Sequence, residues 1–159
     1  MTAQTAIERD ACGRYKGYHV SAIDGTELQL PKNEEILQKF TQRKGSSLPH
    51  ARASVLCDVI TGFTIHACID TTKVGERVLA MEHLQYFQQY NSRKDIVIFD
   101  RGYPSKALIK YFENSATKYL MRFPRSFNAE IDSTNKKDFY VKIDGCNVRV
   151  VKLNPSNIR

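Results

Sequence analysis

The stretch Ile96-Val97-Ile98-Phe99 constrains this chain more than any other: four apolar residues in a row, stopping abruptly at Asp100-Arg101-Gly102. A run this short and this apolar fits a strand covered on both faces, as strands of α/β sheets are. On either side of it the period changes to that of helices. Leu79, Ala80, His83, Leu84 and Phe87 recur at helical spacing and make one face of a helix from about Glu76 to Tyr90, ended by Asn91 and Ser92. Ser105 has the chemistry of an N-cap for a second helix that turns Leu108, Ile109 and Phe112 inward. Tyr119-Leu120-Met121 then reads as another buried strand.

The flanking segments have the two-residue period. Tyr18, Val20 and Ala22 alternate with His19 and Ser21 in a strand that ends at Ile23-Asp24-Gly25. A short helix is expected over Glu34–Phe40, followed by a mobile basic loop, Gln42 to Ser47. Ala53 to Ile60 and Phe63 to Ile69 are rich in β-branched residues and predict a hairpin joined at Thr61-Gly62. Phe139 to Ile143 and Val148 to Leu153 alternate around Asp144-Gly145, a strong two-strand hairpin signal. A hairpin followed by strand–helix alternation implies an α/β fold, a mixed sheet with helices against it.

Bulk properties narrow the partners. A chain of 159 residues supports one domain with a real core. It holds no run of about 18 apolar residues, so no membrane span is expected. No apolar segment marks Met1 to Asp10 as a secretion signal, and the expected compartment is cytoplasmic. The net charge of +7 is uneven: residues 1–80 carry 10 Lys and Arg against 9 Asp and Glu, residues 81–159 carry 14 against 8. A basic half beside a neutral one suits a polyanion such as nucleic acid, and equally suits a solvated surface. Cys12, Cys57, Cys68 and Cys146 have neither zinc-ribbon nor disulfide-framework spacing and read as reduced, partly buried small hydrophobes.

Asp24 and Asp100 are each the first acid after an apolar strand, with glycine close behind. Acids at strand ends can point into a shared crevice, where α/β sheets bind ligands. Hard carboxylate oxygens suit Mg²⁺, and a pair of such ions activates water on one side of a phosphodiester and steadies the leaving oxygen on the other. An Asp-Gly pair is also an ordinary turn former.

Several blocks of the chain resemble a known family. Val20-Ser21-Ala22-Ile23-Asp24-Gly25-Thr26 is similar to the first catalytic block of DDE transposases of bacterial insertion sequences, the insertion-sequence-four-like group. Asp100 to Ser105, followed by Ala107-Leu108-Ile109, resembles the second. Ala53 to Val59 with Gly62 resembles the central hairpin, and Glu76-Arg77 with His83-Leu84 the helix after it. The resemblance implies an RNase H-like fold with a C-terminal β-hairpin from a β-rich insertion. Its divisions are a lead-in over 1–16, a partial catalytic domain over 17–125 and a truncated insertion over 126–159. It also implies that Asp24 and Asp100 are catalytic and hold Mg²⁺ or Mn²⁺, and that the partner is DNA, both transposon ends and target. Members of the family act as dimers in some cases. Arg101 and Tyr103 of the second block, and Arg122 and Arg125 of a basic run, are candidates for contact with DNA, a carboxylate being the alternative partner of Arg101 and a core role the alternative for Tyr103.

One departure counts against full activity. The family's third carboxylate is a Glu downstream in a Tyr-x-x-Arg-x-x-x-Glu arrangement, and this chain has no Glu after Glu130. Tyr119-x-x-Arg122 opens such a motif, but Ser126 stands where the Glu belongs. A fragment with two carboxylates is expected to bind metal weakly and to show little or no strand transfer alone. The other readings are a DNA-binding or oligomerising remnant without the chemistry, and an unrelated metal-dependent phosphohydrolase using Asp24 and Asp100.

The remaining polar residues carry paired expectations. Asp58 is either support for the metal site or a hydrogen-bonded strand acid, and Asp70 a turn acid. Glu76-Arg77 is either a contact near the active centre or a first turn favouring the helix dipole. His66 is expected to face Cys57 across a two-residue hairpin as a packing pair, and His83 to lie on a helix face. The Lys and Arg of 93–94, 118–125 and 136–142 are candidates for DNA phosphates.

Overall fold

A computed structural model describes residues 13–40, 45–89 and 94–153. β1 (His19–Gln29) is followed by α1 (Glu34–Lys39), β2 (His50–Asp58), β3 (Thr64–Thr71) and α2 (Glu76–Phe87). Then come β4 (Asp95–Phe99), α3 (Lys106–Glu113), β5 (Lys118–Met121), α4 (Ala129–Ser133), β6 (Asp138–Ile143) and β7 (Cys146–Val151). Five strands form one sheet in the order β3-β2-β1-β4-β5, and β6 and β7 form a separate two-stranded sheet. β1 runs antiparallel to β2 and parallel to β4, and β4 runs parallel to β5. The sheet is therefore mixed, as the sequence pattern implies. This is an α/β arrangement consistent with the RNase H-like fold.

The helices begin where local chemistry starts them. Asn33 accepts the Ile36 N–H at 2.8 Å and Ser105 the Leu108 N–H at 3.2 Å, each satisfying an amide that the first turn leaves without an intrahelical partner. Asn128 caps α4 in the same way, accepting from Glu130 and Ile131. Sequence reading passed over that helix, although Asn128 followed three residues later by a buried Ile131 was its signal.

One continuous core holds both sheets. Ile23, Leu56, Val97, Phe99 and Met121 from the large sheet meet Ala80, Leu84 and Phe87 of α2 and Leu108, Ile109 and Phe112 of α3. Val141, Ile143, Cys146, Val148 and Val150 of the small sheet join the same cluster. Asp144 and Gly145 turn the β6–β7 hairpin with φ of 52° and 85°, the paired left-handed conformation that suits the twist of a two-residue turn.

Four expectations need correction. β5 is an edge strand and not a buried one: Leu120 is 60 % exposed and Tyr119 half-buried, with Met121 alone of that strand buried. β1 does not end at Asp24: its ladder with β2 continues to Gln29 opposite His50, and only the pairing with β4 stops at Ile23. β4 is not covered equally on both faces, since Val97 and Phe99 are buried while Ile96 and Ile98 are half-buried. The β2–β3 connection is longer than two residues. Asp58, 3 % exposed, accepts from the amides of Ile60 and Thr61 and from the Thr61 hydroxyl, all through Oδ1. That turn shifts the register, so His66 stands opposite Leu56 and Cys57 opposite Thr64. Part of the expected basic loop (41–44) and the expected helix end (90–93) lie outside the described residues. No helix among the described residues is long and apolar enough to cross a membrane.

Candidate metal and DNA site

The large sheet brings the two aspartates together through its register. β1 and β4 pair from His19↔Asp95 to Ile23↔Phe99, so Asp24 and Asp100 are the next residues on adjacent parallel strands. Neighbouring strands lie about 4.8 Å apart, which sets the scale of their separation. Both side chains are exposed. Asp24 Oδ1 accepts the Gly25 N–H at 2.9 Å. Asp100 Oδ1 lies 3.8 Å from Arg122 Nη1, with both side chains at least half exposed, a pairing worth little in stability.

The Asp100 turn leans on the start of α2. Tyr103 N–H donates to the Asp100 carbonyl at 3.2 Å, and Arg77 Nε donates to the Gly102 carbonyl at 3.0 Å. Gly102 lies inside that turn, and close packing adds a second reason for a glycine there. Its φ is not in the left-handed region, but a Cβ there would stand 3.2 Å from Glu76 Oε2. A Cβ on Gly25 would meet Tyr103 Oη at 3.4 Å and Glu76 Cγ at 3.6 Å. These two glycines, one beside each aspartate, make the room that Glu76 and Tyr103 use.

Tyr103 belongs to the core rather than to a DNA-facing surface. It is 2 % exposed, and its ring lies 5.7 Å from that of Phe99. Its hydroxyl is buried without a hydrogen-bond partner. Burial pushes the phenol well above its usual range, the carboxylates of Glu76 and then Asp24 push it the same way, and the neighbouring Ser54 hydroxyl, the nearest hydrogen-bonding group, and Arg52 pull it back in part. Arg101, Arg122 and Arg125 are exposed and lie just after the ends of β4 and β5, the same end of the sheet as the aspartates. Among residues not singled out from the sequence, Ser54 donates to the Asp24 carbonyl at 3.2 Å. Arg52 donates to Val74 O at 2.7 Å and pairs with Glu27 at 3.0 Å. Nothing in the local sequence marks either one; only the β1–β2 register places them.

The donor chemistry of this edge fits a hard divalent cation: two exposed carboxylates on neighbouring strands, with an unpartnered buried hydroxyl close by. Among the described residues no three His, Cys, Asp or Glu groups already stand close enough to enclose an ion. Two carboxylates with substrate phosphates are a usual set for Mg²⁺.

No curated protein matches the chain. A family model, the transposase DDE domain, matches residues 15–158, which takes in both sheets and both aspartates. Proteins of this kind move DNA segments and act with divalent metal ions. With that match spanning nearly its whole length, the chain belongs to the transposase DDE domain family.

Proposed function

We propose that this chain cuts transposon-end DNA with Mg²⁺ or Mn²⁺ held by Asp24 and Asp100. The insertion-sequence-four-like group is the branch its sequence blocks resemble. The observation that carries the reading is the parallel register of β1 and β4, which makes residues 76 positions apart in sequence neighbours in space. A bound divalent ion would supply Lewis-acid polarisation of the phosphodiester and a more acidic attacking water. The two carboxylates hold such an ion, and their exposure leaves the scissile phosphate free to approach. Arg122, beside Asp100, and Arg101 and Arg125 at the same end of the sheet offer cationic contacts to the flanking phosphates. Tyr103 takes no part in that surface, because its ring is enclosed.

Asp24 and Asp100 are the two carboxylates that the matching sequence blocks supply. Slow cleavage with little joining is the expected behaviour of the chain alone. The test is nicking of supercoiled plasmid by the purified protein. Nicking should require Mn²⁺ or Mg²⁺ and fall to background in both Asp24→Asn and Asp100→Asn. Nicking that is metal-independent, or undiminished in both variants, overturns the reading. The absence of three converged metal-ligating groups among the described residues favours one alternative, a DNA-binding module without chemistry. DNA retention with no metal-dependent nicking at any protein concentration would decide for it.

A further inference from the structure

His83 sits in the middle of α2, wholly buried, with a hydrogen-bonding neighbour at each ring nitrogen. Its Nε2 lies 3.0 Å from Ser54 Oγ and 3.4 Å from Cys68 Sγ. Neither of those groups has a proton left for it. The Ser54 hydroxyl donates to the Asp24 carbonyl at 3.2 Å, and the Cys68 thiol donates to the Ser54 carbonyl at 3.9 Å. His83 is therefore the donor at Nε2. A neutral imidazole carries one N–H, so Nδ1 of His83 is bare and accepts. The proton between it and His66 Nδ1, 2.8 Å away, belongs to His66.

The series continues through the backbone. The Asp24 carbonyl and the Gly25 N–H are the two ends of one peptide unit, and that N–H donates to Asp24 Oδ1 at 2.9 Å. Every link points the same way: His66 to His83, His83 to Ser54, Ser54 to the 24–25 peptide, and the peptide to the carboxylate. Hydrogen bonds in such a series polarise and strengthen one another. The Tyr103 phenol beside Ser54 keeps its own proton, since burial raises its pKa, and leaves the serine's proton to Asp24. The tie falls where β1 loses a neighbour. Its pairing with β4 stops at Ile23, so Asp24 has a ladder partner only in β2. The Ser54 side chain adds a second hold on that segment, from the face that α2 covers.

Resting on the reading of Asp24 as a working carboxylate, we propose that Ser54 is a positioning residue for it. His66 and His83 orient the Ser54 hydroxyl, and the hydroxyl fixes the plane of the 24–25 peptide. The Gly25 amide then occupies Oδ1 and sets the direction of the carboxylate, with Oδ2 as the oxygen that remains to work.

Imidazole nitrogen NMR of the full chain, without metal, reads the network directly. His83 should be the Nε2–H form, with a scalar coupling between the Nδ1 atoms of His66 and His83 across their hydrogen bond. Ser54→Ala should shift the Gly25 amide resonance. An Nδ1–H form of His83, or a Gly25 amide that does not move, overturns the proposal. The wild-type spectrum keeps the test decisive should Ser54→Ala not fold. Plasmid nicking then separates positioning from packing. Ser54→Ala should lower kcat about tenfold with KM for DNA unchanged, and Ser54→Thr, which keeps the hydroxyl, should recover most of that loss. Cys68→Ala removes the other neighbour of His83 Nε2 and no hydrogen bond to Asp24, so kcat should stay as it is. If Ser54→Ala nicks at the wild-type rate while Asp24→Asn is inactive, Ser54 positions nothing and the proposed function stands. If Asp24→Asn also nicks at the wild-type rate, that reading fails, and this proposal with it.

Discussion

Two polar clusters meet α2, one at its first turn and one at its middle, and they differ in how completely their hydrogen bonds are made. At the middle, His83 is wholly buried. Its Nδ1 lies 2.8 Å from His66 Nδ1, and its Nε2 lies 3.0 Å from Ser54 Oγ and 3.4 Å from Cys68 Sγ. The His66 ring in turn stacks on Tyr86 at 4.2 Å. At the first turn, Tyr103 Oη and Arg52 Nε are buried without partners. The same helix therefore carries one saturated network and one unfinished one. The network at the middle fixes the packing of α2 on β2 and β3 through both ring nitrogens of His83. An unfinished one costs stability in the free protein and has capacity in reserve.

Breaking each cluster should have opposite consequences. His83→Ala is the largest expected effect: it opens a cavity under α2 and leaves Ser54 and His66 without their shared partner. A loss of about 2–4 kcal/mol is expected in chemical denaturation. A loss under about 1 kcal/mol would mean that the network contributes nothing beyond packing.

The next effect is on pH dependence. Burial, and then the neighbouring His66, lower the His83 pKa from its usual 6.5 to about 4, so the fold holds this ring neutral. As pH falls, the unfolded chain takes the proton first. The contribution of His83 is therefore complete above about 6.5 and is lost progressively down to about 4, by up to about 1.4 kcal/mol per pH unit. Melting midpoints across that window, compared with His83→Asn, should show the wild-type slope and a shallower one in the variant.

The smallest effect belongs to the unfinished cluster. Tyr103→Phe removes a hydroxyl that has no partner, so stability without metal should be unchanged or higher by up to about 1 kcal/mol. A clear destabilisation would show that the phenol already has an acceptor, and the contrast between the clusters would disappear.

Much of this was legible in the sequence, for identifiable reasons. The apolar run at 96–99, the helical period at 79–87 and the Asp144-Gly145 hairpin signal are local, and each element formed close to where its pattern placed it. The adjacency of Asp24 and Asp100 was open from spacing alone, because it depends on which strand pairs with β1. Asp58 looked like a mid-strand acid, since a turn built around its side chain leaves no period to read. The surroundings of Glu76 were less accessible still. They depend on two glycines from distant strands and on a tyrosine whose burial decides its role. Sequence left Tyr103 between DNA and core, and enclosure beside Phe99 decides for the core.

The β1–β4 ladder also has a consequence in time. A ribosome lengthens a chain by about 5–20 residues each second, so β1 emerges several seconds before the strand that completes its pair of acids. Until β4 docks, Asp24 is a lone surface carboxylate with little hold on a cation. Any site that needs both carboxylates therefore forms only once β4 has paired with β1, whatever has folded before it.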